Sequence, residues 1–452
     1  MESAGEAAII DPLRDPEPYI KMAADRGAVI KYVLETHFHA DFVSGHIDLA
    51  AKTGAAIVYG PNACPGYTVC VAMDGDELPL GKMRIKVLHT PGHTIESTCY
   101  LAVNEQDREV AIFTGDTLLV GEVGRPDLLS GNLSKEELAA MLFDSLQQKI
   151  KSLPDDVTVY PGHGPGSACG KNIGKETWST IGAQKQSNYA LLEIDKDKFI
   201  KIVTSDLPVP PAYFFKDAAI NQSGYQPLDK VIAASLKPLS INKFKDHRQF
   251  GSIVLDTRDA SSFGACFIPG AINIGLKGDF AVCVGTLIPF NASLLIVTEE
   301  GHEQEAISRL ARIGYDNVLG YLQGGMKAWI DANNATDSVP TYSATGCWQL
   351  MGEGNYHLLD VRKDAEVAKE RIKGAMHVSL NKLQEQSALM NWESPYIVYC
   401  AGGYRSMIAA SLLKRAGFKH IANVEGGINE VKKIMPQLLE IGKPRASCRP
   451  GI

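Results

Sequence analysis

Two imidazoles and a carboxylate alternate along the stretch Thr36-His37-Phe38-His39-Ala40-Asp41-Phe42. The run before it, Ile30-Lys31-Tyr32-Val33-Leu34, reads as a buried strand. A strand that ends in His-x-His-x-Asp presents these groups at a sheet edge, where a pocket can hold a metal ion. Three later segments repeat the arrangement of a ligand type after a strand-like run. His93 lies in Thr90-Pro91-Gly92-His93-Thr94, behind Ile85-Lys86-Val87-Leu88. Asp116 lies in Thr114-Gly115-Asp116-Thr117, behind Val110-Ala111-Ile112-Phe113. His163 lies in Tyr160-Pro161-Gly162-His163-Gly164, behind Val157-Thr158-Val159. A single His or Asp after a strand is more often a capping or turn residue, so the weight rests on the set. His46, in a helix-like run, and His89, at a strand end, read as structural.

A second chemistry is written far downstream. After the strand-like Tyr396-Ile397-Val398-Tyr399 comes Cys400-Ala401-Gly402-Gly403-Tyr404-Arg405-Ser406, which opens a helix-like run. Successive backbone N–H groups in such a loop form a concavity for an anion, and the helix N-terminus adds positive potential. Both favour a thiolate at Cys400, with the Arg405 cation close by. The bland alternative is a small apolar cysteine at a strand end. Two glycines and an arginine at this spacing weigh against it.

The elements that must position these groups fall into several domains. A chain of 452 residues is too long for one ordinary domain. With 45% hydrophobic and 21% charged residues it has a globular composition. A net charge of −7 carries no basic bias, so neither nucleic acid nor an anionic membrane is an expected partner. The N-terminus has no basic n-region, and no apolar run reaches the ~20 residues of a spanning helix. Nine cysteines without regular spacing point to free thiols and a cytoplasmic location rather than a disulfide framework.

An internal repeat marks the second half. Leu255-Asp256-Thr257-Arg258 returns as Leu359-Asp360-Val361-Arg362, and Gly270-Ala271 as Gly374-Ala375, both at an offset of 104 (360 − 256 and 374 − 270). Each copy alternates strand-like and helix-like runs, which implies a parallel sheet flanked by helices. The position equivalent to Cys400 in the first copy is Glu299, within Thr298-Glu299-Glu300-Gly301-His302-Glu303, so that copy carries no sulfur nucleophile there. Cys266 lies too early to replace it. The expected division is 1–228 for the His-rich domain, 229–335 for a non-catalytic copy and 336–452 for an active copy.

The ordered segments around His37, His93, Asp116 and His163 resemble the metallo-β-lactamase superfamily, whose dinuclear hydrolases place a His directly after the motif Asp. Here that residue is Phe42, which cannot bind a metal and favours a single-metal enzyme. The resemblance sharpens to the persulfide dioxygenases of that superfamily. It implies one Fe(II) per chain on His37, His93 and Asp116, a facial triad that leaves positions for substrate and O₂. It makes His39, Asp41, His163 and Tyr160 pocket or orienting residues. Arg125 would bind the thiol substrate, with Lys171 and Cys169 in the small-residue loop beyond His163 as further candidates. The two copies resemble rhodanese domains: the Asp-x-Arg turn, the Gly-Ala after it and the Cys400 loop carry the likeness. Ala401, Gly402, Gly403, Tyr404 and Ser406 would cradle a persulfide on Cys400.

The resemblance implies an αββα metallo-β-lactamase sandwich followed by two rhodanese-like α/β domains. Its function would be oxidation of a low-molecular-weight thiol persulfide (of glutathione, coenzyme A or bacillithiol type) by O₂ to sulfite and thiol. Sulfur transfer through Cys400 would then make or use thiosulfate. A dimer or tetramer is expected from related enzymes. The rival reading is a thioester hydrolase of glyoxalase II type, using zinc-bound hydroxide, with rhodanese-like binding modules.

Overall fold

A computed structural model describes residues 1–128, 133–354 and 356–441. The chain divides into two compact units, Met1–Val231 with Ala311–Tyr315, and Ile232–Leu310 with the residues from Asp316 onward. Positions 442–452 of the expected third domain lie outside the described residues.

The first unit contains two sheets. One runs in chain order through Glu2–Ser3, Glu6–Ile10, Val29–Leu34, Ala56–Tyr59 and Cys70–Val71. From its second strand onward the pairing is parallel. The structure adds Glu2–Ser3, which pairs antiparallel with Glu6–Ile10. Two residues are too short to leave a periodic signal in the sequence. The other sheet orders Ser179–Thr180, Thr158–Pro161, Glu109–Gly115, Thr98–Val103, Met83–His89 and Glu77–Leu80.

Successive side chains on a strand point to opposite faces, and the cores follow that alternation. Ala8, Leu34 and Val58 of the first sheet meet Ile85, Val87 and Tyr100 of the second. Ala7 and Val33, the neighbours of Ala8 and Leu34, instead pack with Ala23 and Leu49 of the helices Glu17–Asp25 and His46–Thr53. On the far side Leu101, Ile112 and Val159 pack with Leu142 and Phe199 of Lys135–Ser145 and Lys196–Thr204. The result is the αββα sandwich. Every residue of Thr98–Val103 is buried, as a central strand covered on both faces requires.

In the second unit the repeat becomes two parallel sheets of one topology. The first orders Pro238–Leu239, Val318–Leu322, Leu294–Val297, Ile253–Asp256 and Ile272–Asn273. The second orders Thr341–Tyr342, Ile421–Val424, Tyr396–Tyr399, His357–Asp360 and Met376–His377. The Asp-x-Arg turn has the same structural task in both. Arg258 pairs with Asp256 at 2.6 Å and donates to Cys266 O at 2.8 Å. Arg362 pairs with Asp360 at 2.6 Å and donates to Glu370 O at 2.8 Å. These buried pairs stitch the strand end to the following segment, which explains why the tripeptide recurs. Among the described residues no helix is long and apolar enough to cross a membrane.

Candidate functional site

The strands Val29–Leu34, Met83–His89, Glu109–Gly115 and Thr158–Pro161 are followed closely by His37, His93, Asp116 and His163. The ligand atoms of His37, His93 and Asp116 converge within 4.8 Å of one another, and all three residues are buried. Their orientation is set by groups behind them. Thr36 donates its backbone N–H to Asp11 Oδ1 at 2.7 Å and its hydroxyl hydrogen to Asp11 Oδ2 at 2.8 Å. That hydroxyl, 2.9 Å from His37 Nδ1, must therefore accept from Nδ1–H, leaving the Nε2 lone pair free. His93 Nδ1 donates to the backbone carbonyl of Arg125 at 2.8 Å, which frees its Nε2 in the same way. Two glycines permit the approach. Gly115 has φ +49°, and a Cβ there would stand 2.4 Å from Thr36 Oγ1. Gly92 has φ +146°, and a Cβ there would stand 2.4 Å from the Leu142 backbone.

The electrostatics suit a cation. Burial, followed by the neighbouring His39 and His93 rings, pushes His37 well below the ordinary histidine value, so it stays a neutral ligand. Burial alone would raise the Asp116 carboxyl. The His163 and His93 imidazoles outweigh it and hold Asp116 below the usual carboxylate range. Asp116 Oδ2 is buried, lies 3.4 Å from His93 Nε2 and accepts no hydrogen bond. An orphaned buried carboxylate oxygen facing two imidazole lone pairs fits a divalent metal ion.

His39 turns its Nε2 toward Asp11 Oδ1 at 3.0 Å and Glu35 Oε2 at 3.6 Å. Its Nδ1 is buried and unbonded, with the ring 4.2 Å from that of His37. Burial opposes a charge on His39, but Asp11 and Glu35 outweigh it and raise the ring to about 9. His163 bridges two carboxylates, Nδ1 to Asp116 Oδ1 at 2.6 Å and Nε2 to Asp41 Oδ2 at 2.8 Å. Tyr160 stays half-exposed and stacks on Phe113 at 5.2 Å. Cys169 is buried, and its sulfur lies within 4.8 Å of the ligand atoms of Asp41 and His163.

Arg125 and Lys171 have other tasks than the expected substrate contact. The Arg125 guanidinium is 2% exposed, pairs with Asp127 through two bonds of 2.6 and 2.8 Å, and donates to Pro208 O. Its backbone carbonyl orients His93. Lys171 Nζ is taken up by the carbonyls of Ile202 and Ser205. Asp11 and Glu35 are the residues that sequence reasoning missed. Their only signal was position: Asp11 ends the strand Glu6–Ile10, which pairs with Val29–Leu34 ahead of the metal motif.

In the second unit Cys400 ends Tyr396–Tyr399 and Gly403 caps the helix Tyr404–Arg415. Gly403 takes φ +106°, and its N–H donates to Cys400 Sγ at 3.1 Å. No side chain caps this helix, so its first N–H groups stay directed at the loop. Ser406 Oγ donates to Gly403 O at 3.1 Å, and Tyr404 Oη to Gly275 O of the first copy at 2.9 Å. Arg405 is held by Glu366 through bonds of 2.6 and 2.9 Å, so it brings less than a full free charge. Ala401 and Gly402 complete the turn. A cavity of about 940 Å³ borders this loop, lined by Gly402, Gly403 and Tyr404 and by Thr298, Glu299 and His302 of the first copy.

Comparison with known proteins adds names to the two halves. The family model of the metallo-beta-lactamase superfamily matches residues 1–163, and that of the rhodanese-like domain matches 240–332 and 343–434. The cytoplasmic hydroxyacylglutathione hydrolase of Arabidopsis thaliana is 36% identical over 164 residues, 36% of this chain and 60% of that protein. A hydroxyacylglutathione hydrolase of Brucella anthropi is 39% identical over 142 residues, 30% of this chain and 49% of that protein. The chain thus spans about half to three fifths of the curated relatives it matches. A crystal structure of a metallo-beta-lactamase from Staphylococcus aureus covers 71% of this chain, and the match takes in 91% of that structure, at 34% identity and a TM-score of 0.61.

These relatives correct the expectation of a persulfide dioxygenase. They are named as hydrolases of a glutathione thioester, so oxidoreductase chemistry, O₂, a thiol persulfide and sulfite no longer follow from the likeness. The expectation of one Fe(II) falls with it, because iron was invoked for O₂ activation, whereas hydrolysis calls for a redox-inert Lewis acid such as zinc. Phe42 removes one side chain from the motif, yet His37, His93 and Asp116 still converge. The chain belongs to the metallo-β-lactamase superfamily, with two rhodanese-like domains following its αββα domain.

Proposed function

We propose that the αββα domain is a metal-dependent hydrolase of a thioester formed by a low-molecular-weight thiol, of the hydroxyacylglutathione class. The single observation that carries this is the convergence of His37, His93 and Asp116, within a domain whose curated relatives are hydroxyacylglutathione hydrolases. Zinc bound there would act as a Lewis acid and bring a water toward hydroxide at neutral pH. The chain's own residues do the rest. Thr36 and the Arg125 carbonyl keep both imidazoles in the tautomer that offers Nε2. Asp116 supplies the anionic oxygen. His163, held between Asp41 and Asp116, keeps a proton beside the centre, which suits release of a leaving thiolate. His39, turned to Asp11 with its ring 4.2 Å from that of His37, is positioned as support for His37.

The third domain supports a second activity. We infer that Cys400 accepts a sulfane sulfur as a persulfide and passes it to a thiophilic acceptor. The Gly403 N–H bond to Cys400 Sγ and the uncapped helix end turn backbone donors toward the sulfur that such chemistry needs. Glu299 leaves the first copy without this nucleophile. A cytoplasmic location is supported by the eight free cysteines of the described residues and by the Arabidopsis relative. The test is hydrolysis of S-acylglutathione thioesters by zinc-loaded and metal-stripped protein. Cleavage that needs the metal supports the reading, and intact thioester with fully loaded protein overturns it.

A further inference from the structure

We propose that Asn221 and Arg312 are positioning residues of the metal centre, holding the turn His39–Ser44 so that Asp41 keeps His163 against Asp116. This role rests on the reading of His37, His93 and Asp116 as a metal centre, and not on which bond the metal cleaves. Both residues lie beyond 1–163, the part matched by the metallo-beta-lactamase family model. Asn221 belongs to the helix Phe214–Ser223. Arg312 lies within the non-catalytic rhodanese-like copy, yet Ala311–Tyr315 packs as part of the first unit.

The turn lies outside the named strands and helices, so its buried backbone groups need other partners. Asn221 is 1% exposed, and its amide is used in full. Its Nδ2 donates to His39 O and Phe42 O at 2.7 Å each, and its Oδ1 accepts from Ser44 N–H at 2.9 Å. Two carbonyls and one N–H leave only this orientation of the amide. The contacts fall on both sides of Asp41. Tyr67 fixes the helix from behind, its hydroxyl donating to Asn221 O at 2.7 Å. Between Phe42 and Ser44, the Val43 N–H donates to Arg312 O at 2.7 Å. That carbonyl is anchored twice. Arg312 Nε donates to Asp15 Oδ2 at 2.7 Å, and the buried Arg14 donates to the neighbouring Ala311 O. Asp41 Oδ2 in turn meets His163 Nε2 at 2.8 Å, and His163 Nδ1 meets Asp116 Oδ1 at 2.6 Å. The non-catalytic copy thus has a task in the first unit: it lends the segment that closes the turn behind Asp41.

The test is the zinc affinity of the full chain, by competition against a chromophoric chelator, with far-ultraviolet dichroism as the fold control. Asn221→Ala strands three backbone groups of the turn and loosens Asp41. Affinity should fall about tenfold or more, the loss typical when a group that orients a metal ligand is removed. In an Asp41→Ala background the same substitution should change affinity less than about twofold, because residues acting through one contact are not additive. A role confined to the fold would cost the same in both backgrounds. Arg312→Asp sets a like charge against Asp15 and should weaken zinc binding about fivefold. Adding Asp15→Arg should restore it. The Arg312 guanidinium reaches solvent, so this pair reads the result where Asn221→Ala does not fold. Unchanged affinity in Asn221→Ala and Arg312→Asp, or equal losses in the two backgrounds, overturns the proposal. Zinc binding with this dependence but no thioester cleavage would refute the proposed function and leave the positioning role standing. Thioester cleavage by protein whose zinc affinity ignores both residues would do the reverse.

Discussion

Replacing Thr36 with valine should weaken metal binding without reshaping the site. Valine keeps the β-branched outline, so no cavity opens and the close approach of Gly115 is preserved. What disappears is the hydroxyl that links Asp11 to His37 through bonds of 2.8 and 2.9 Å. His37 is 2% exposed, so its Nδ1–H is left without a partner and without water. An unsatisfied buried donor costs ~1–3 kcal/mol. Loss of a group that orients a metal-binding histidine lowers affinity by roughly 10–100-fold, which is about 1.4–2.8 kcal/mol at ~1.4 kcal/mol per decade. The two routes agree, and the expected weakening is therefore ten- to a hundredfold. It should be measured by competition against a chromophoric chelator, with thermal melting of the metal-free protein as a fold control. An affinity within twofold of wild type, in a variant that melts normally, would refute the assignment of Thr36 as the group that sets the His37 tautomer.

Other consequences can be read at separate places in the fold. Cys400→Ser should abolish sulfur transfer from thiosulfate to an acceptor while thioester hydrolysis continues, and Glu299→Gln should alter neither; transfer that survives in Cys400→Ser would remove that residue from the chemistry. Arg362→Ala leaves Asp360 buried and unpaired, which should cost ~3–5 kcal/mol, read by urea denaturation of the full chain; a change under ~1 kcal/mol would show that the repeated Asp-x-Arg pair is not structural. In the metal-free protein, burial and then the His39 charge hold His46 at about 3, so the unfolded chain takes the extra proton below about 6.5 and stability falls as the pH drops from there. His39, raised to about 9, contributes stability below about 6.5 that is lost as the pH rises through 9. Melting temperature should therefore peak near neutral pH, and a steady rise from pH 6.5 to 9 would contradict the placement of His39 against Asp11 and Glu35.

Much of this fold was legible because its strands are short apolar runs that end in residues with little reason to be there otherwise. Ile30–Leu34, Ile85–Leu88 and Tyr396–Tyr399 all lie within observed strands. The 104-residue repeat survives as two sheets of one strand order. The groups behind the metal centre were hidden for a physical reason. Asp11 and Arg125 act on His37 and His93 across a sheet and through a backbone carbonyl, contacts that no local spacing encodes. Arg125 shows the limit most clearly: an arginine near a ligand reads as a substrate contact, yet its charge is spent on Asp127 and its carbonyl is what reaches the site.

The central claim is that His37, His93 and Asp116 hold a metal that cleaves a thioester. It is tested most directly by following loss of the thioester absorbance of an S-hydroxyacylglutathione, with zinc-loaded wild type beside His93→Ala and Asp116→Ala at matched folding. Wild type should hydrolyse it steadily, stop on metal removal and resume on adding zinc. Each variant should lose at least a hundredfold in kcat/KM, about 2.7 kcal/mol of transition-state stabilisation. Wild type that carries its metal and leaves every thioester of the series intact would contradict the claim. So would an Asp116→Ala protein that hydrolyses them at the wild-type rate.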